Sequence, residues 1–319
     1  MPRLSAVPPL LVVAGPTATG KTSLAIRLAE ALARDGIHAE FISADSRQVY
    51  RGMDVGTAKA TAEERARAPH HCLDLVDPDE PFSVADFVAH AARALEGIAD
   101  RDGLGVLVGG TGLYLRAVAR GLDVAALPWD LAARAALDED LARDGLAALV
   151  ARLRDVAPRT AAGIDLRNPR RVVRALERAS VVGDAPPPPP RGYDRPVAWL
   201  GLDADRSTHR RWIAARAQAQ LDGGLLDEAR ALHERYPETL RSLSAIGYHE
   251  AFDLLDGRID RDRFLGVNVA RNAAFARRQR TWFRSEPAIA WLDAAADPLP
   301  PAIDAARLLI GSERVSSAR

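Results

Sequence analysis

The segment Gly15-Pro16-Thr17-Ala18-Thr19-Gly20-Lys21-Thr22 constrains the fold of this chain more than any other stretch. It follows an apolar run at residues 10–14 and precedes a helical pattern at residues 23–33. A GxxxxGKT spacing between a buried strand and a helix is the context that a P-loop requires. Its glycines let backbone N–H groups point at phosphate oxygens, and Lys21 adds a point charge. The sequence therefore predicts a di- or triphosphate site, where Thr22 can offer its hydroxyl to Mg²⁺.

Lysine is rare in this chain, although basic residues are common. Of the 43 basic residues, only Lys21 and Lys59 are lysines. Arginine and lysine are not interchangeable at a phosphate, because an ammonium is a compact point charge and a guanidinium is a planar fork. We therefore expect a compact ammonium to matter at both positions. The alternative for Lys59 is that it is an ordinary surface lysine.

The bulk composition restricts the class of protein. The 319 residues are 48% hydrophobic, which is enough for one large domain or two smaller ones. No apolar run reaches the roughly eighteen residues of a membrane span. Residues 1–9 lack a signal-peptide pattern, and Cys72 is the single cysteine. We expect a cytoplasmic protein without membrane contact or a disulfide framework. Because the formal net charge is +0, any nucleic-acid binding must come from local basic faces.

Short apolar strands alternate with helical patterns in the first part of the chain. Strand signals occur at residues 10–15, 40–44, 105–109 and 197–203. This alternation predicts an α/β fold, a P-loop NTPase-like parallel sheet flanked by helices. Residues 127–195 form an Ala- and Arg-rich helical stretch that includes five consecutive prolines at 186–190. We interpret this stretch as an inserted all-helical domain in a core formed by residues 1–126 and 196–319.

Three segments with chemically distinctive residues follow predicted strands, which is where parallel sheets bind ligands. The P-loop is the first. The second begins with Asp45, a candidate for a general base, a Mg²⁺ ligand or a helix cap. The third is the Gly-rich turn at residues 109–114. The strand before it ends in glycines, where an NTP-hydrolysing P-loop protein usually has an acidic residue, so a motor or switch function is disfavoured.

Two other segments are predicted to be structural. Ser83 and Asp86 form a capping-box pattern at the start of a helix. His70, His71 and Cys72 have the side chains of metal ligands, but adjacent residues rarely aim at one ion and no second cluster follows. We expect them to serve packing or supporting roles.

Two arginine runs predict contacts with a polyanion. The first has only Glu177 as a nearby acid, and four of its members share one helical face, with Arg170 beside them: Arg167, Arg171, Arg174 and Arg178. The second lies at residues 271–284 and mixes cations with an amide and aromatics, including Arg277, Arg280, Arg284, Gln279 and Trp282. Such a mixture suits RNA. A solvated charged surface is the alternative for the first run, and core packing is the alternative for Trp282.

Two further patterns lie between these runs and the end of the chain. A helix predicted at residues 205–221 carries four arginines, one of which could close over a phosphate as a clamp. Residues 245–248 predict a turn into another helix.

These segments, taken together and in order, resemble the tRNA dimethylallyltransferase family, P-loop prenyltransferases that modify the adenosine next to the anticodon. The matching segments are GPTATGKT, SADSRQVYRGMDVGTAK, HHCLDLVDP with FSVADF, VGGTGLY, NPRRVVRALE, AIGY and ARRQRTWFR. They run from residue 15 to residue 284, and no zinc-finger pattern follows, so the bacterial type is the nearer match.

The resemblance implies a reaction and its residues. A dimethylallyl group passes from dimethylallyl diphosphate to the exocyclic N6 of the adenosine adjacent to the anticodon, in tRNAs that read codons beginning with U, and diphosphate leaves. Asp45 is implied as the base, and Lys21, Thr22 and Arg216 as stabilisers of the diphosphate, with Thr22 holding Mg²⁺ directly or through water. The implied diphosphate-binding residues are Gly15, Pro16, Thr17, Ala18, Thr19, Gly20, Lys21 and Thr22.

The resemblance also implies contacts with the tRNA anticodon stem-loop. The implied tRNA-binding residues are Asp45, Ser46, Arg47, Gln48, Thr111, Arg134, Arg170, Arg171, Val172, Val173, Arg174, Ser244, Ala245, Ile246, Gly247, Tyr248, His249, Ala273, Ala274, Phe275, Ala276, Arg277, Arg278, Gln279 and Arg280. His249 departs from the family pattern, which usually has Arg or Lys at that position, and a histidine is uncharged above neutral pH.

Three other functions remain as alternatives. The P-loop alone would permit a small-molecule kinase, and the same loop could also hold ATP. A related chemistry prenylates free adenine nucleotides, although the basic faces favour the polymer. A non-catalytic RNA-binding protein is the third alternative. We expect the protein to be a monomer.

Overall fold

The computed structural model describes residues 7–124 and 131–317. The chain divides into two compact units, Met1–Gly121 with Gly192–Arg319, and Leu122–Arg191. Residues 127–195 are predicted from the sequence to form the helical insertion. Its first boundary, between residues 126 and 127, lies outside the described residues, and the structure returns to the first unit at Gly192.

The elements of the two units follow in chain order. The strands are β1 (Leu10–Ala14), β2 (Ala39–Ser43), β3 (His70–His71), β4 (Leu104–Gly109), β5 (Val197–Asp203) and β6 (Ile289–Asp293). The helices are α1 (Lys21–Arg34), α2 (Ala62–Arg67), α3 (Val84–Asp100), α4 (Gly112–Ala119), α5 (Leu131–Val156), α6 (Pro158–Gly163), α7 (Pro169–Val182), α8 (Arg206–Asp222), α9 (Leu225–Arg235), α10 (Tyr248–Leu255), α11 (Arg261–Arg284) and α12 (Leu299–Ser317), with a 3-10 turn at Ser242–Ser244.

The strands form one parallel sheet in the order β3-β2-β4-β1-β5-β6. The predicted α/β class and the P-loop NTPase-like parallel sheet are therefore confirmed. β1, β2 and β4 are neighbours, and every residue in them is buried. Because parallel strands end at the same edge, the three segments that follow these strands lie side by side. The sheet thus gathers the P-loop, the Asp45 segment and the Gly-rich turn after β4.

Apolar helices cover both faces of the sheet, as the buried strands require. On one face, Leu24 and Leu28 of α1 and Ala306 of α12 pack on the strands. On the other face, Phe87 of α3 and Leu115 of α4 belong to the core. A third apolar cluster joins α9, α10 and the start of α11 and includes Met53 from the loop after β2. None of the described helices combines the length and apolar character that a membrane-spanning helix needs.

The second unit consists of α5, α6 and α7 and has an apolar core of its own. α5 is interrupted at Gly145, which has a φ of 78° that glycine adopts at little cost. Leu149 and Leu153 pack against Val172 and Val173, whose side chains are fully buried. The helical character predicted for this stretch follows from the spacing of these apolar positions.

Two strands were not predicted from the sequence. β3 has only two residues, too few to produce a recognisable pattern. β6 forms one edge of the sheet and is largely exposed, and its apolar run is only four residues long, Ile289 to Leu292, before Asp293. Strand signals depend on burial, and a short or exposed edge strand provides little of it.

Candidate active site

The P-loop connects the end of β1 to the first turn of α1. Gly20 precedes the helix with a φ of 78°, a conformation suited to glycine. The Thr19 hydroxyl donates to the Pro16 carbonyl at 2.9 Å, and the Lys21 ammonium donates to the same carbonyl at 2.7 Å. The loop therefore holds its own lysine over its concave side.

A cavity with about 730 Å³ of empty space, part of it open to solvent, lies beside the P-loop within the first unit. Its polar lining includes Thr17, Lys21, Thr22, Ser43, Asp45, Gln48, Thr57, Arg216 and Gln279. Its apolar lining includes Ala25, Phe41, Ala60, Leu73, Val108 and Phe275. The cavity thus combines cations, a carboxylate and an apolar wall, which suits an anionic ligand with a hydrocarbon part.

Two cations meet in this cavity. Arg216 of α8 donates through Nη1 to the Thr17 hydroxyl at 2.9 Å and through Nη2 to the Thr57 carbonyl at 3.2 Å. Burial, followed by the charge of Arg216, lowers the pKa of Lys21 to about 7, although Asp45 opposes this shift. Burial also lowers the pKa of Arg216, again with Asp45 opposing the shift. Two desolvated cations facing each other would be stabilised by an anion bound between them.

Asp45 also lines the cavity, directly after β2. Its Oδ1 accepts a hydrogen bond from the Arg47 N–H at 2.9 Å, so the carboxylate stabilises a turn at residues 45–47. Gly109, at the end of β4, packs so closely that a side chain there would clash with the Ala44 carbonyl. The glycine at the end of β4 therefore allows the close approach of Ala44, the residue before Asp45.

Three of the predicted tRNA-binding segments meet near Asp45. The Ser46 N–H donates to the Thr111 hydroxyl at 3.1 Å. Arg47 donates to the carbonyls of Arg241 and Ser242, and to the Ser244 hydroxyl at 3.4 Å. Gln48 accepts from the Ser43 hydroxyl at 2.7 Å and donates to the Ala58 carbonyl at 3.2 Å. The structure thus brings residues 45–48, Thr111 and the start of the 244–249 segment together.

Several residues predicted to bind tRNA have side chains that are buried and cannot reach RNA in this structure. These are Val172 and Val173 in the core of the second unit, and Ala245, Tyr248 and Ala276 in the first unit. The Tyr248 hydroxyl instead donates to Glu228 at 2.7 Å. Apolar helical positions face their own core, and a contiguous sequence motif necessarily includes them. Ser244, His249, Arg277 and Arg278 are exposed, whereas Ile246, Ala273, Ala274 and Phe275 are partly buried and Gly247 is buried.

Gln279 and Arg280 have partners within the protein that the sequence did not predict. Both were predicted to contact tRNA, and the structure turns both inward. Gln279 accepts from the Thr17 N–H and donates to the Gly110 carbonyl, each at 2.9 Å. Arg280 donates to Asp203 at 2.6 Å and is only 12% exposed. Their partners come from distant parts of the chain, so helical periodicity alone could not identify them.

The arginines of the second unit are only partly available to a polyanion. Glu177 is 1% exposed and pairs with Arg174 at 2.7 Å and with Arg134 at 3.4 Å. Arg178 reaches the Ala185 carbonyl, and Arg167 pairs with Asp165. Arg170 and Arg171 remain exposed. The single acid that the sequence analysis noted therefore binds two of the predicted RNA contacts.

Lys59 proves to be buried, not a surface lysine. Its side chain is 0% exposed, and its ammonium donates to the Tyr50 carbonyl and pairs with Asp54 and Asp74 at 2.6 Å each. Nearby, His71 contacts Glu40 at 2.7 Å, and burial raises the pKa of the Cys72 thiol to about 12. Within the described ranges, no group of His, Cys, Asp and Glu side chains is arranged to hold a metal ion.

His209, which contacts the P-loop from outside the cavity, was not among the residues predicted from the sequence. It is almost completely buried, and its Nε2 lies 2.7 Å from the Thr17 carbonyl. A signal was available, because His209 and Arg216 are seven residues apart and therefore share a face of α8. An arginine predicted to reach the P-loop implies that the residue two turns earlier reaches it too.

Comparisons with known proteins agree on one family. The model of the family described as IPP transferase matches residues 48–286. A tRNA dimethylallyltransferase of Anaeromyxobacter sp. (strain K) is 47% identical over 309 residues, covering 92% of this chain and 99% of that protein. One from Roseiflexus sp. (strain RS-1) is 44% identical over 299 residues, with 91% and 95% covered. The crystal structure of the full-length tRNA isopentenylpyrophosphate transferase from Bacillus halodurans superposes with a TM-score of 0.69, at 37% identity and 97% and 98% coverage.

Proposed function

The chain belongs to the IPP transferase family, and from that membership we infer that it transfers a dimethylallyl group from dimethylallyl diphosphate to tRNA. One observation carries the assignment of chemistry to residues: Lys21 and Arg216 line the same cavity as Asp45. Two cations at one end and a carboxylate nearby suit a diphosphate leaving group and an acceptor that must lose a proton.

The cations act on the leaving group. As the bond between the allylic carbon and the diphosphate oxygen breaks, the electron pair stays on oxygen and its negative charge grows. The backbone N–H groups of the P-loop, together with Lys21 and Arg216, stabilise that charge more strongly in the transition state than in the substrate. Phe41, Leu73 and Val108 offer an apolar wall for the five-carbon chain.

Asp45 acts on the acceptor. We assign the acceptor atom as the exocyclic N6 of the adenosine next to the anticodon, in tRNAs that read codons beginning with U. The N6 lone pair is delocalised into the ring, so the amine is a poor nucleophile. A carbon–nitrogen bond forms while Asp45 takes the N6 proton. The carboxylate loses one negative charge as the departing diphosphate gains one, so the total charge in the cavity is unchanged. The base must leave the anticodon stack to reach the cavity.

The residues present are compatible with a Mg²⁺ ion bound together with the diphosphate. The Thr22 hydroxyl lines the cavity at the start of α1, where a P-loop places its metal-binding hydroxyl. Mg²⁺ commonly takes only one or two protein ligands and completes its shell with phosphate oxygens and water. We propose that Thr22 holds it directly or through a water molecule. When bound, the ion supplies positive charge to the diphosphate oxygens.

The exposed cations in the described parts of each unit supply candidate contacts to the tRNA backbone. In the first unit they include Arg277 and Arg278, and in the second Arg170 and Arg171. Phosphate contacts from arginine position a nucleic acid without reading its sequence. We propose that the exposed cations of each unit contact tRNA phosphates, and that the 45–48 segment, with the exposed Ser244 and His249, contacts the anticodon stem-loop.

The test is a single reaction. Purified protein is incubated with Mg²⁺, dimethylallyl diphosphate and unmodified tRNA, and digested tRNA is analysed by mass spectrometry. We expect a five-carbon addition on one adenosine beside the anticodon. A parallel reaction with γ-labelled ATP and candidate acceptors tests the kinase alternative. Phosphoryl transfer without prenylation would contradict the assignment.

A further inference from the structure

Three contacts from two helices hold Thr17, a residue in the middle of the P-loop. Its N–H donates to Gln279 of α11 at 2.9 Å. Its hydroxyl accepts from Arg216 of α8 at 2.9 Å. Its carbonyl meets Nε2 of His209 of α8 at 2.7 Å. The family's chemistry accounts for Arg216, which lines the cavity, but His209 is not among the lining residues.

The partners of His209 fix its protonation. A carbonyl oxygen can only accept, so Nε2 must carry a hydrogen and donate it to Thr17. Nδ1 lies 2.6 Å from Nη2 of Arg280, and a guanidinium can only donate, so Nδ1 must be bare. His209 is therefore neutral and confined to one tautomer. Its burial, together with the charge of Arg280, lowers its pKa and favours the same state.

Arg280 is itself anchored to the end of β5. Its Nε donates to Asp203 Oδ1 at 2.6 Å, and its Nη2 donates to the Ala204 carbonyl at 3.2 Å. The guanidinium thus has fixed directions for its hydrogens, one of which reaches His209. Asp203, Arg280 and His209 form a continuous chain of hydrogen bonds from the sheet to the P-loop, which we call the Thr17 clamp.

The clamp holds the peptide directly before Ala18, a residue with a strained backbone conformation. Ala18 has a φ of 60°, in the left-handed region that a residue with a side chain adopts at a cost. The peptide that joins Thr17 to Ala18 is trans, so its C=O and N–H point in opposite directions. When His209 holds the Thr17 carbonyl, the Ala18 N–H is directed away from His209. Losing that hydrogen bond would free this peptide to rotate.

We propose that Asp203, Arg280 and His209 are positioning residues that orient the Thr17–Ala18 peptide for the diphosphate of the prenyl donor. This inference rests on the proposed function and deepens it, because it assigns Arg280 to donor binding instead of tRNA binding. None of the three residues is among those that line the cavity, so the clamp acts only through the P-loop.

The experiment compares four full-length variants with the wild type. His209→Leu removes the donor to Thr17, and His209→Gln retains an N–H at a similar reach. Arg280→Lys keeps the charge beside Asp203 but loses the fork that also meets His209. Arg277→Gln is the control, because Arg277 is exposed on the same helix one turn earlier. Each protein is measured for KM of both substrates, kcat, thermal midpoint and calorimetric affinity for inorganic diphosphate with Mg²⁺.

We expect His209→Leu to weaken diphosphate binding and raise the KM for dimethylallyl diphosphate by roughly tenfold, as for a lost hydrogen bond that leaves a carbonyl unpaired. His209→Gln should recover most of the loss, and Arg280→Lys should raise the same KM with little change in the KM for tRNA. Arg277→Gln should raise the KM for tRNA and leave the KM for dimethylallyl diphosphate nearly unchanged. An unchanged donor KM in His209→Leu, or a rise confined to the tRNA KM in Arg280→Lys, would overturn the clamp.

A pH series separates positioning from simple loss of stability. Protonating His209 places a hydrogen on Nδ1 facing Arg280, so diphosphate affinity of the wild type should fall in mildly acidic solution. The charged groups around this ring are Arg280 on α11, Asp203 on β5 and Lys21 on α1. All are retained in His209→Gln, so the ratio of the two affinities isolates the imidazole. A ratio that is constant with pH would also overturn the proposal.

Diphosphate calorimetry needs no turnover, so it tests the clamp even if the prenyl-transfer reaction is not observed. Conversely, failure of the wild type to prenylate tRNA would contradict the proposed function and leave the calorimetric comparison interpretable. Variants with lowered thermal midpoints but unchanged affinities and KM values would assign the three residues to structure alone and refute the inference.

Discussion

Asp45 shows how a single side chain can be both a turn residue and a candidate base. Its Oδ1 accepts from the Arg47 N–H, which fixes the carboxylate at the end of β2 where it lines the cavity. An asparagine could make the same bond through its amide oxygen, because the acceptor geometry is shared. The structural role and the chemical role can therefore be separated by one substitution.

Asp45→Asn should lower kcat by about 10²- to 10⁴-fold, the usual contribution of a positioned base. The KM for dimethylallyl diphosphate should change much less than kcat, because the turn is kept and Asp45 acts on Lys21 and Arg216 only through its charge. Single-turnover kinetics with saturating tRNA measure the chemical step directly. Near-normal turnover would remove Asp45 from the mechanism and leave it as a turn residue only.

Lys21 makes donor affinity depend on pH. Its pKa of about 7 in the free protein means that the ammonium is already half neutral near pH 7. A bound diphosphate favours the charged form, so binding takes up a proton above that pH. The dissociation constant for diphosphate should then rise by up to about tenfold per pH unit above pH 7, as linkage requires. Calorimetry in buffers of different ionisation enthalpy measures the proton uptake. A dissociation constant that is flat from pH 7 to 9 would contradict a lowered pKa.

At the scale of elements, α7 shows how one helix divides its arginines between packing and solvent. Arg174 pairs with the buried Glu177, whereas Arg170 and Arg171 are exposed near the start of the helix. Removing one partner of a buried carboxylate lowers the stability of the folded state strongly. We therefore assign Arg174 to stabilising the second unit. The exposed pair is the part of the helix that can bind phosphate.

Replacing both Arg170 and Arg171 with glutamine should weaken tRNA binding and flatten its salt dependence. Two lost phosphate contacts reduce the slope of log K against log salt by about 1.5. Filter binding or fluorescence anisotropy across salt concentrations measures this slope. Arg174→Gln is the control, since it should lower the thermal midpoint and change the slope less. An unchanged slope in the double variant would show that Arg170 and Arg171 are solvated surface residues without phosphate contacts.

α11 illustrates which features could be predicted from the sequence and which could not. Its helical period, its amide and its cations were all visible in the sequence. The inward direction of Gln279 and Arg280 depends on Thr17, Gly110 and Asp203, which are distant along the chain. Polar residues that bind buried backbone look like surface residues in a sequence, because polarity alone does not reveal a partner. The P-loop itself was predictable because its function and its fold use the same residues.

The same limit applies to the two lysines. The position of Lys21 in the P-loop was visible in its motif. The rarity of lysine also singled out Lys59, but no local pattern showed which groups would surround its ammonium. Its ammonium donates in three directions, to Tyr50, Asp54 and Asp74, inside a space where the side chain is fully enclosed. A tetrahedral ammonium fits that arrangement better than a planar guanidinium does. The preference for lysine here has a structural reason that only the assembled loop reveals.

For the whole molecule, burial of histidines makes stability depend on pH. The pKa values of His70, His90 and His209 all lie below the ordinary 6.5, chiefly because burial disfavours the charged imidazole. Above pH 6.5 these residues are neutral in both the folded and the unfolded chain. Below it, the unfolded chain binds protons that the folded chain does not, so the free energy of unfolding decreases.

We therefore expect a lower urea midpoint at pH 5.5 than at pH 7.5. Carboxylates with lowered pKa values, such as Glu40 and Asp74, stay charged across this range and do not contribute to the difference. A variant with His70→Gln and His209→Gln should show a smaller difference between the two pH values. Equal midpoints in the wild type, or a higher midpoint at pH 5.5, would contradict the expectation.

The scarcity of lysine has a practical consequence for chemical labelling. Acylating reagents attack neutral amines, and Lys59 is shielded by its carboxylate and carbonyl partners. Lys21, whose pKa is near neutrality, should be the side chain that reacts first. An inorganic anion seated in the loop would recharge and cover it. Peptide mapping after brief acylation, with the α-amino group as an internal reference, would thus report occupancy of the loop without any substrate turnover.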